Sequence, residues 1–243
     1  PDALPAGTAV VVRSPAVPDD NAELGAARAA GIPVTKRAVL LGALLDARLG
    51  VAVAGTHGKT TTAGMLAVVL DEAGLDPTFF VGGDVLDLGA NARAGTGPHV
   101  VVEADEYDRS FLHGHPHIAV VLNVEHDHPD IYPTLDDVVA AFRAFVERVR
   151  PDGRVIALAG SPTVRAAVET ARVPVERYGL AGEVAPDEPR PLDWEAGAIA
   201  VESDAQQFEV RSRGEPAGTF AIRLPGRHNV ANALAVIAAA IAL

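Results

Sequence analysis

Residues 49–70 read LGVAVAGTHGKTTTAGMLAVVL, and the fold follows from how this stretch is parsed. Val51-Ala52-Val53-Ala54 is a short apolar run of buried-strand type. The chain then turns through Gly55-Thr56-His57-Gly58-Lys59-Thr60 and enters a helix-forming segment that stops at Gly74. Strand, glycine turn, Lys-Thr and helix together make a phosphate-cradling arrangement. Two glycines let successive N–H groups point at one anion, and the helix N-terminus adds its dipole. In such a turn Lys59 meets the β- and γ-phosphates and the Thr60 hydroxyl ligates Mg²⁺. Only two residues separate Gly55 from Gly58, so the turn is shorter than the usual phosphate loop. A tight turn carrying a solvated lysine is the plainer alternative. Two features favour phosphate: the strand and helix flank the turn as required, and only two of the 20 basic residues, Lys36 and Lys59, are lysines. A compact ammonium has been kept where the chain elsewhere prefers the guanidinium fork.

The 243 residues allow one large domain or two smaller ones, and 49% hydrophobic with 21% charged residues is an ordinary globular composition. A net charge of −12 and the lack of any basic block argue against a nucleic-acid partner. With no cysteine there are no disulfides and no thiolate metal sites, which fits a cytoplasmic protein. Neither a signal peptide nor a membrane-inserting segment stands out; the one long apolar stretch is the Ala-rich last helix. The chain starts at Pro1 almost directly in a strand and ends at Leu243 inside an apolar helix, so both ends read as cut from a longer protein.

In order, the pattern predicts a strand over 8–13, a Pro-punctuated loop over 14–21, a helix over 23–30, a strand over 32–34 and a helix over 37–48. This β-α-β-α run reads as the tail, residues 1–48, of a Rossmann-like domain. A P-loop-type α/β domain with a mostly parallel sheet takes residues 49–243. Its Gly-rich segment 81–98 reads as a short strand with exposed loops. Strands over 100–102 and 118–122 end in Glu103-Ala104-Asp105-Glu106 and Asn123-Val124-Glu125-His126-Asp127-His128. In parallel sheets ligands bind beyond the carboxyl ends of the strands. Three strands ending in a glycine turn, an acidic cluster and a His/Asp cluster therefore point to one nucleotide–metal site. A helix over 135–149, N-capped by Thr134, presents Val138, Phe142, Phe145 and Val149 as core. A strand over 155–158, a helix from Ser161-Pro162 and a strand over 173–178 follow, then a Pro- and Glu-rich loop over 181–191. Alternating segments around 198–202, 206–211 and 218–224 make a small antiparallel addition before a final helix opened by Arg227-His228-Asn229.

Glu103 stands where a carboxylate completes a Mg²⁺ site begun by Thr60, since Mg²⁺ takes hard oxygens and few protein groups. A solvated acidic loop is the alternative. His128 reads equally as a ligand, a general base or a hydrogen-bonded loop histidine; His113, His115, His117 and His126 read as loop histidines.

Four motifs in order, Gly55-Thr56-His57-Gly58-Lys59-Thr60-Thr61-Thr62, Glu103-Ala104-Asp105-Glu106-Tyr107-Asp108, Asn123 through His128, and Gly226-Arg227-His228-Asn229-Val230-Ala231-Asn232-Ala233, resemble the Mur ligases of peptidoglycan synthesis. Thr56-His57 inside the loop resembles the branch that joins L-alanine to UDP-N-acetylmuramate, and its relative that adds a recycled murein tripeptide to the same sugar. The Ser14 to Asn21 loop also resembles that branch. The resemblance implies a UDP-sugar domain, a central ATPase domain and a C-terminal domain, the last absent from this chain. It implies that Lys59 and the loop residues Gly55, Thr56, His57, Gly58, Thr60 and Thr61 bind ATP phosphates. It further implies that Thr60 and Glu103 hold one Mg²⁺, that His128 helps hold a second, and that Asn229 and Asn232 approach the adenine. Tyr107 and His126 depart from the residues common in the family, Ser and Ala. Sibling ligases carry a carbamylated lysine at the second metal; no lysine follows Lys59 here. The implied reaction phosphorylates the lactyl carboxylate of UDP-N-acetylmuramate with ATP, after which the alanine amine attacks the acyl phosphate. Competing expectations are the tripeptide-adding activity and a non-catalytic ATP-binding module.

Overall fold

The computed structural model describes residues 4–184, 188 and 191–243. The first elements are β1 (Val11–Arg13), α1 (Ala22–Ala29), β2 (Val34–Lys36) and α2 (Arg37–Ala47). Asn21 starts α1 by accepting the Glu23 and Leu24 amides at 2.9 and 3.3 Å, which satisfies donors that the first helical turn leaves open. β1 and β2 pair in parallel as a two-stranded sheet. Both are displaced from the sequence reading. The strand expected from residue 8 begins at Val11, and the one expected over 32–34 begins at Val34. Pro33 has no amide to give to a ladder, and only its carbonyl takes part, accepting Val11 N at 2.9 Å.

The second sheet has ten strands. They are β3 (Leu49–Ala54), β4 (Thr78–Val85), β5 (Ala90–Arg93), β6 (His99–Glu103), β7 (Ile118–Val121), β8 (Arg154–Leu158), β9 (Val175–Leu180), β10 (Trp194–Glu202), β11 (Ala205–Ser212) and β12 (Glu215–Ile222). Their order is β12-β11-β10-β9-β8-β7-β3-β6-β4-β5. Pairing is parallel from β10 through to β4 and antiparallel at both ends. The helices are α3 (Lys59–Glu72), α4 (Leu135–Val146), α5 (Pro162–Val168) and α6 (Arg227–Ala242).

β3 shows how the layers form. Val51 and Val53 face a core shared with α3 and α6, while Ala52 and Ala54 face one shared with α4 and α5. Each is at most 1% exposed, as expected for a parallel strand covered on both faces. Thr134 and Asp137 close a capping box on α4, and Val138, Phe142, Phe145 and Val149 are all buried, as their spacing predicts. Phe111 stacks on Phe145 with ring centres 4.9 Å apart and meets Phe142 edge-on at 5.3 Å.

One sheet edge differs from expectation, and at the other the expected antiparallel addition is present. The Gly-rich segment 81–98 contributes a hairpin, β4 with β5, closed by a 3-10 turn at Leu86–Leu88. Arg93 on this edge pairs with Asp71 of α3 and lies over the Phe79 ring at 5.4 Å, contacts that hydropathy does not register. The antiparallel addition is also continuous with the main sheet, because β10 pairs with β9 in parallel before β11 and β12 fold back. Trp194 anchors that junction by donating Nε1–H to Glu176 at 2.8 Å. Of the loop expected over 181–191, residues 185–187 and 189–190 lie outside the described residues. Among the described residues, no helix is long and apolar enough to cross a membrane.

α2 meets the segment between β6 and β7 through backbone alone at one point. A Cβ on Gly42 would lie 2.4 Å from the His113 carbonyl oxygen, and one on Gly114 would lie 2.9 Å from the Gly42 Cα. Gly42→Ala should therefore lift α2 from residues 113–114 and lower stability by about 1–3 kcal/mol. Denaturant unfolding checks this, with Gly25→Ala, where a Cβ meets open space, as the tolerated control.

Candidate active site

The carboxyl ends of β6, β3 and β7 lie side by side, and the sequence after each carries the polar groups. The chain leaves β3, runs through α3 to the strands on one side of it, and later returns to β7 on its other side. This reversal of strand order opens a crevice beyond the carboxyl ends of the strands, in the interior of the sheet.

The turn over 55–58 requires its glycines. Gly55 (φ 153°) and Gly58 (φ 85°) occupy backbone conformations that side chains disfavour. A Cβ on Gly58 would also crowd the Asn232 amide at 3.1 Å. Asn123 braces the turn from β7's end: its Oδ1 accepts His57 N–H at 2.7 Å and its Nδ2 donates to His57 O at 3.0 Å. Thr56 is tied to the same loop, since its Oγ1 accepts Glu125 N–H at 2.9 Å. α3 starts at Lys59 with no side chain capping it, so the amides of its first turn are left for another acceptor.

Lys59 is folded inward. Its Nζ donates to Gly55 O at 2.7 Å, to Thr56 O at 3.3 Å and to both oxygens of Glu106 at 2.9 and 3.0 Å. The Glu106 side chain is only 2% exposed. Thr60 Oγ1 donates to Glu103 Oε1 at 3.0 Å, and Glu103 Oε2 accepts Gly82 N–H at 2.6 Å. A Cβ on Gly82 would sit 2.8 Å from that carboxylate, so the bare glycine of β4 makes room for it.

His128 (φ 53°) points Nε2 at Glu106 Oε1, 3.7 Å away, and at Asp127 Oδ2, 3.8 Å away. Tyr107 lies edge-on to the His128 ring at 5.2 Å. Tyr132, fully buried, fixes Glu106 from behind by donating its hydroxyl to the Glu106 carbonyl at 2.6 Å. Burial pushes the Tyr132 hydroxyl up to about 12, so it remains a donor near neutral pH.

Thus Lys59, Thr60, Glu103 and His128, predicted from sequence, gather at one crevice, with Gly55, Thr56, His57 and Gly58 forming its turn. Thr61 follows on the first turn of α3 and lines a neighbouring groove. Asn232 lines a cleft of about 360 Å³ beside the turn, together with Asn123, Tyr178 and His228. Asn229 is held differently: its Nδ2 donates to Pro225 O at 2.7 Å, and its Oδ1 accepts from Asn232 at 3.3 Å. Sequence reasoning passed over Glu106, Asp127 and Asn123. Glu106 and Asp127, with His128, offer three ligand atoms within 4.8 Å of one another. Their signal was present in the acidic and His/Asp strand ends, but only the fold shows that Glu106 turns inward.

Residues 53–240 match the Mur ligase middle domain. The chain is 44% identical over 231 residues to a UDP-N-acetylmuramate–L-alanine ligase of Anaeromyxobacter sp., which covers 95% of the chain and 49% of that protein. It is 45% identical to the ligase of the same name from Roseiflexus sp., covering 97% of the chain and 52% of that protein. The chain spans about half the length of the curated relatives it matches. Among solved structures, it resembles the UDP-N-acetylmuramate–alanine ligase of Thermotoga maritima, with a TM-score of 0.76 and 29% identity over 95% of this chain and 50% of that one. It also resembles the UDP-N-acetylmuramate:L-alanyl-γ-D-glutamyl-meso-diaminopimelate ligase of Neisseria meningitides, with a TM-score of 0.80 and 33% identity over 96% of this chain and 74% of that one. The chain belongs to the Mur ligase family, and residues 53–240 are its middle domain.

Proposed function

We propose that this chain is the ATP-binding part of a ligase that joins L-alanine to UDP-N-acetylmuramate through an acyl-phosphate intermediate. The observation that carries the reading is the convergence of the glycine turn with Lys59, the Thr60–Glu103 pair and His128 at three adjacent strand ends. We assign residues 1–48 to the end of a UDP-sugar-binding domain and residues 49–243 to the ATP-binding domain. Both nucleotide substrates are cytoplasmic compounds, and we place the protein there.

The residues present fit a divalent cation. Thr60 Oγ1 and Glu103 Oε1 form a pair of hard oxygens 3.0 Å apart, the spacing of neighbouring ligands around an ion with bonds of about 2.1 Å. A bound Mg²⁺ there supplies charge neutralisation for the transferred phosphoryl group. The amides at the start of α3 receive phosphate oxygens, and Lys59 adds a positive charge beside them. Glu103, fixed by the Gly82 amide, holds one carboxylate oxygen toward Thr60. His128 contributes to a second cation position, and the cleft lined by Asn232 receives the adenine, with Asn229 steadying the Asn232 amide. Water exclusion and placement of the two acceptors complete the catalysis, because there is little covalent chemistry for the protein itself to perform.

A second reading, addition of a murein tripeptide to the same sugar nucleotide, is favoured by the likeness to the Neisseria structure. Ligation assays with L-alanine and with tripeptide separate the two.

Two substitutions test the nucleotide site. Lys59→Ala should lower ligation by the full-length enzyme by about 10²–10³-fold, the cost of losing one preorganised electrostatic contact, and should also lower stability, because the buried Glu106 carboxylate loses its partner; near-wild-type turnover would sink the assignment. Glu103→Gln should raise the Mg²⁺ concentration for half-maximal activity by about tenfold or more, while leaving metal-free ATP affinity nearly unaltered. An unchanged Mg²⁺ titration would make Glu103 a structural partner of Gly82 only.

A further inference from the structure

All three N–H bonds of the Lys59 ammonium are already engaged: one by Gly55 O, one by Thr56 O and one by the Glu106 carboxylate. To donate to a phosphate, the ammonium must release one of these acceptors. The two carbonyls belong to the glycine turn itself and move with it. Glu106 is different, because it lies after β6 and is held in place by Tyr132. It is also an anion, bonded through both oxygens to the ammonium that would meet the phosphates. Releasing it leaves a carboxylate 2% exposed with no neutralising cation, which is costly unless another positive charge replaces the ammonium.

The replacement site is adjacent. Glu106 Oε1 faces His128 Nε2 at 3.7 Å, and Asp127 Oδ2 lies 3.8 Å from the same nitrogen. Ligand atoms of an octahedral ion with bonds of about 2.1 Å stand about 3.0 to 4.2 Å apart. The trio, gathered within 4.8 Å, therefore needs only a small closure. Asp127 also accepts the His128 backbone N–H at 2.7 Å, which ties the two ligand-bearing residues together.

We infer that Glu106 is a two-position carboxylate: it latches Lys59 in the nucleotide-free protein, and it passes to a divalent cation shared with Asp127 and His128 when Lys59 turns to phosphate. The ammonium and the cation compete for one buried anion. Nucleotide binding thus raises affinity at this cation site, and the cation reciprocally favours the phosphate-facing lysine. The nucleotide half of the inference rests on the phosphate assignment made for Lys59; the competition between lysine and cation does not.

Mn²⁺ is the probe, with free ion followed by electron paramagnetic resonance and no nucleotide present. Lys59→Ala removes the competitor and should tighten Mn²⁺ binding by about tenfold. Adding Glu106→Gln or Asp127→Asn to that variant should abolish the gain. Asp127 is half-exposed and does not touch Lys59, so its substitution keeps the test open if the Glu106 variant unfolds. Calorimetry with ATP in EDTA reads the other half. Glu106→Gln should bind metal-free ATP several-fold more tightly than wild type, whereas Lys59→Ala should bind it more weakly. Mn²⁺ affinity unaltered by Lys59→Ala would overturn the latch whatever ATP does. Glu106→Gln weakening metal-free ATP as Lys59→Ala does would reduce Glu106 to a support for the lysine. Failure of the wild type to bind ATP at all, with the Mn²⁺ gain intact, would strike the phosphate assignment and leave the competition standing.

Discussion

The ion pair between Lys59 and Glu106 is the interaction on which the site depends. Each partner is almost withdrawn from water, at 13% and 2% side-chain exposure, and neither charge is tolerable there alone. The pair spans two strand ends, since Lys59 opens α3 after β3 and Glu106 follows β6. It therefore joins the glycine turn to the acidic segment in the absence of any ligand. Its geometry also has directional content. The ammonium sits under the turn, bonded to the carbonyls of Gly55 and Thr56, and the first amides of α3 have no side-chain cap.

The sheet makes this pairing possible. β3 lies between β6 and β7 in parallel register, so three carboxyl ends align, and the loops that follow face one crevice. Small residues give the polar groups space. Gly58 admits Asn232 from α6, and Gly82 of β4 admits the Glu103 carboxylate. The hydrophobic layers on both sides of β3 hold the strands rigid. The polar groups are thus carried on short segments whose ends are fixed, which is what preorganised charge stabilisation needs.

Much of this was legible in the sequence because it is local. The apolar run of β3, the Gly55–Gly58 spacing, the Thr134–Asp137 box and the period of α4 each depend on neighbours within a few residues, and each appears as read. Lys59, Thr60, Glu103 and His128 followed from strand ends. What escaped depends on distant partners. The β4–β5 hairpin is carried by glycines and by Arg93 reaching Asp71, neither of which produces an alternating pattern. The continuity of β10 with β9 is a pairing choice made sixteen residues apart, as in Trp194 beside Tyr178. Glu106 reads as one more acid in a solvated cluster, and its burial is set by Lys59 and by Tyr132, 26 residues downstream.

The central claim is that the turn before Lys59 receives the phosphates and that cations bridge them to the acidic strand ends. A crystal structure with a non-hydrolysable ATP analogue and Mn²⁺, using anomalous scattering to locate the metal, tests it most directly. The account predicts β- and γ-phosphates against the amides of residues 55–60, Lys59 Nζ on a phosphate oxygen, and a manganese peak between Thr60 Oγ1 and Glu103. Phosphates bound elsewhere, or Lys59 still on Glu106 with no metal at Thr60, would contradict it.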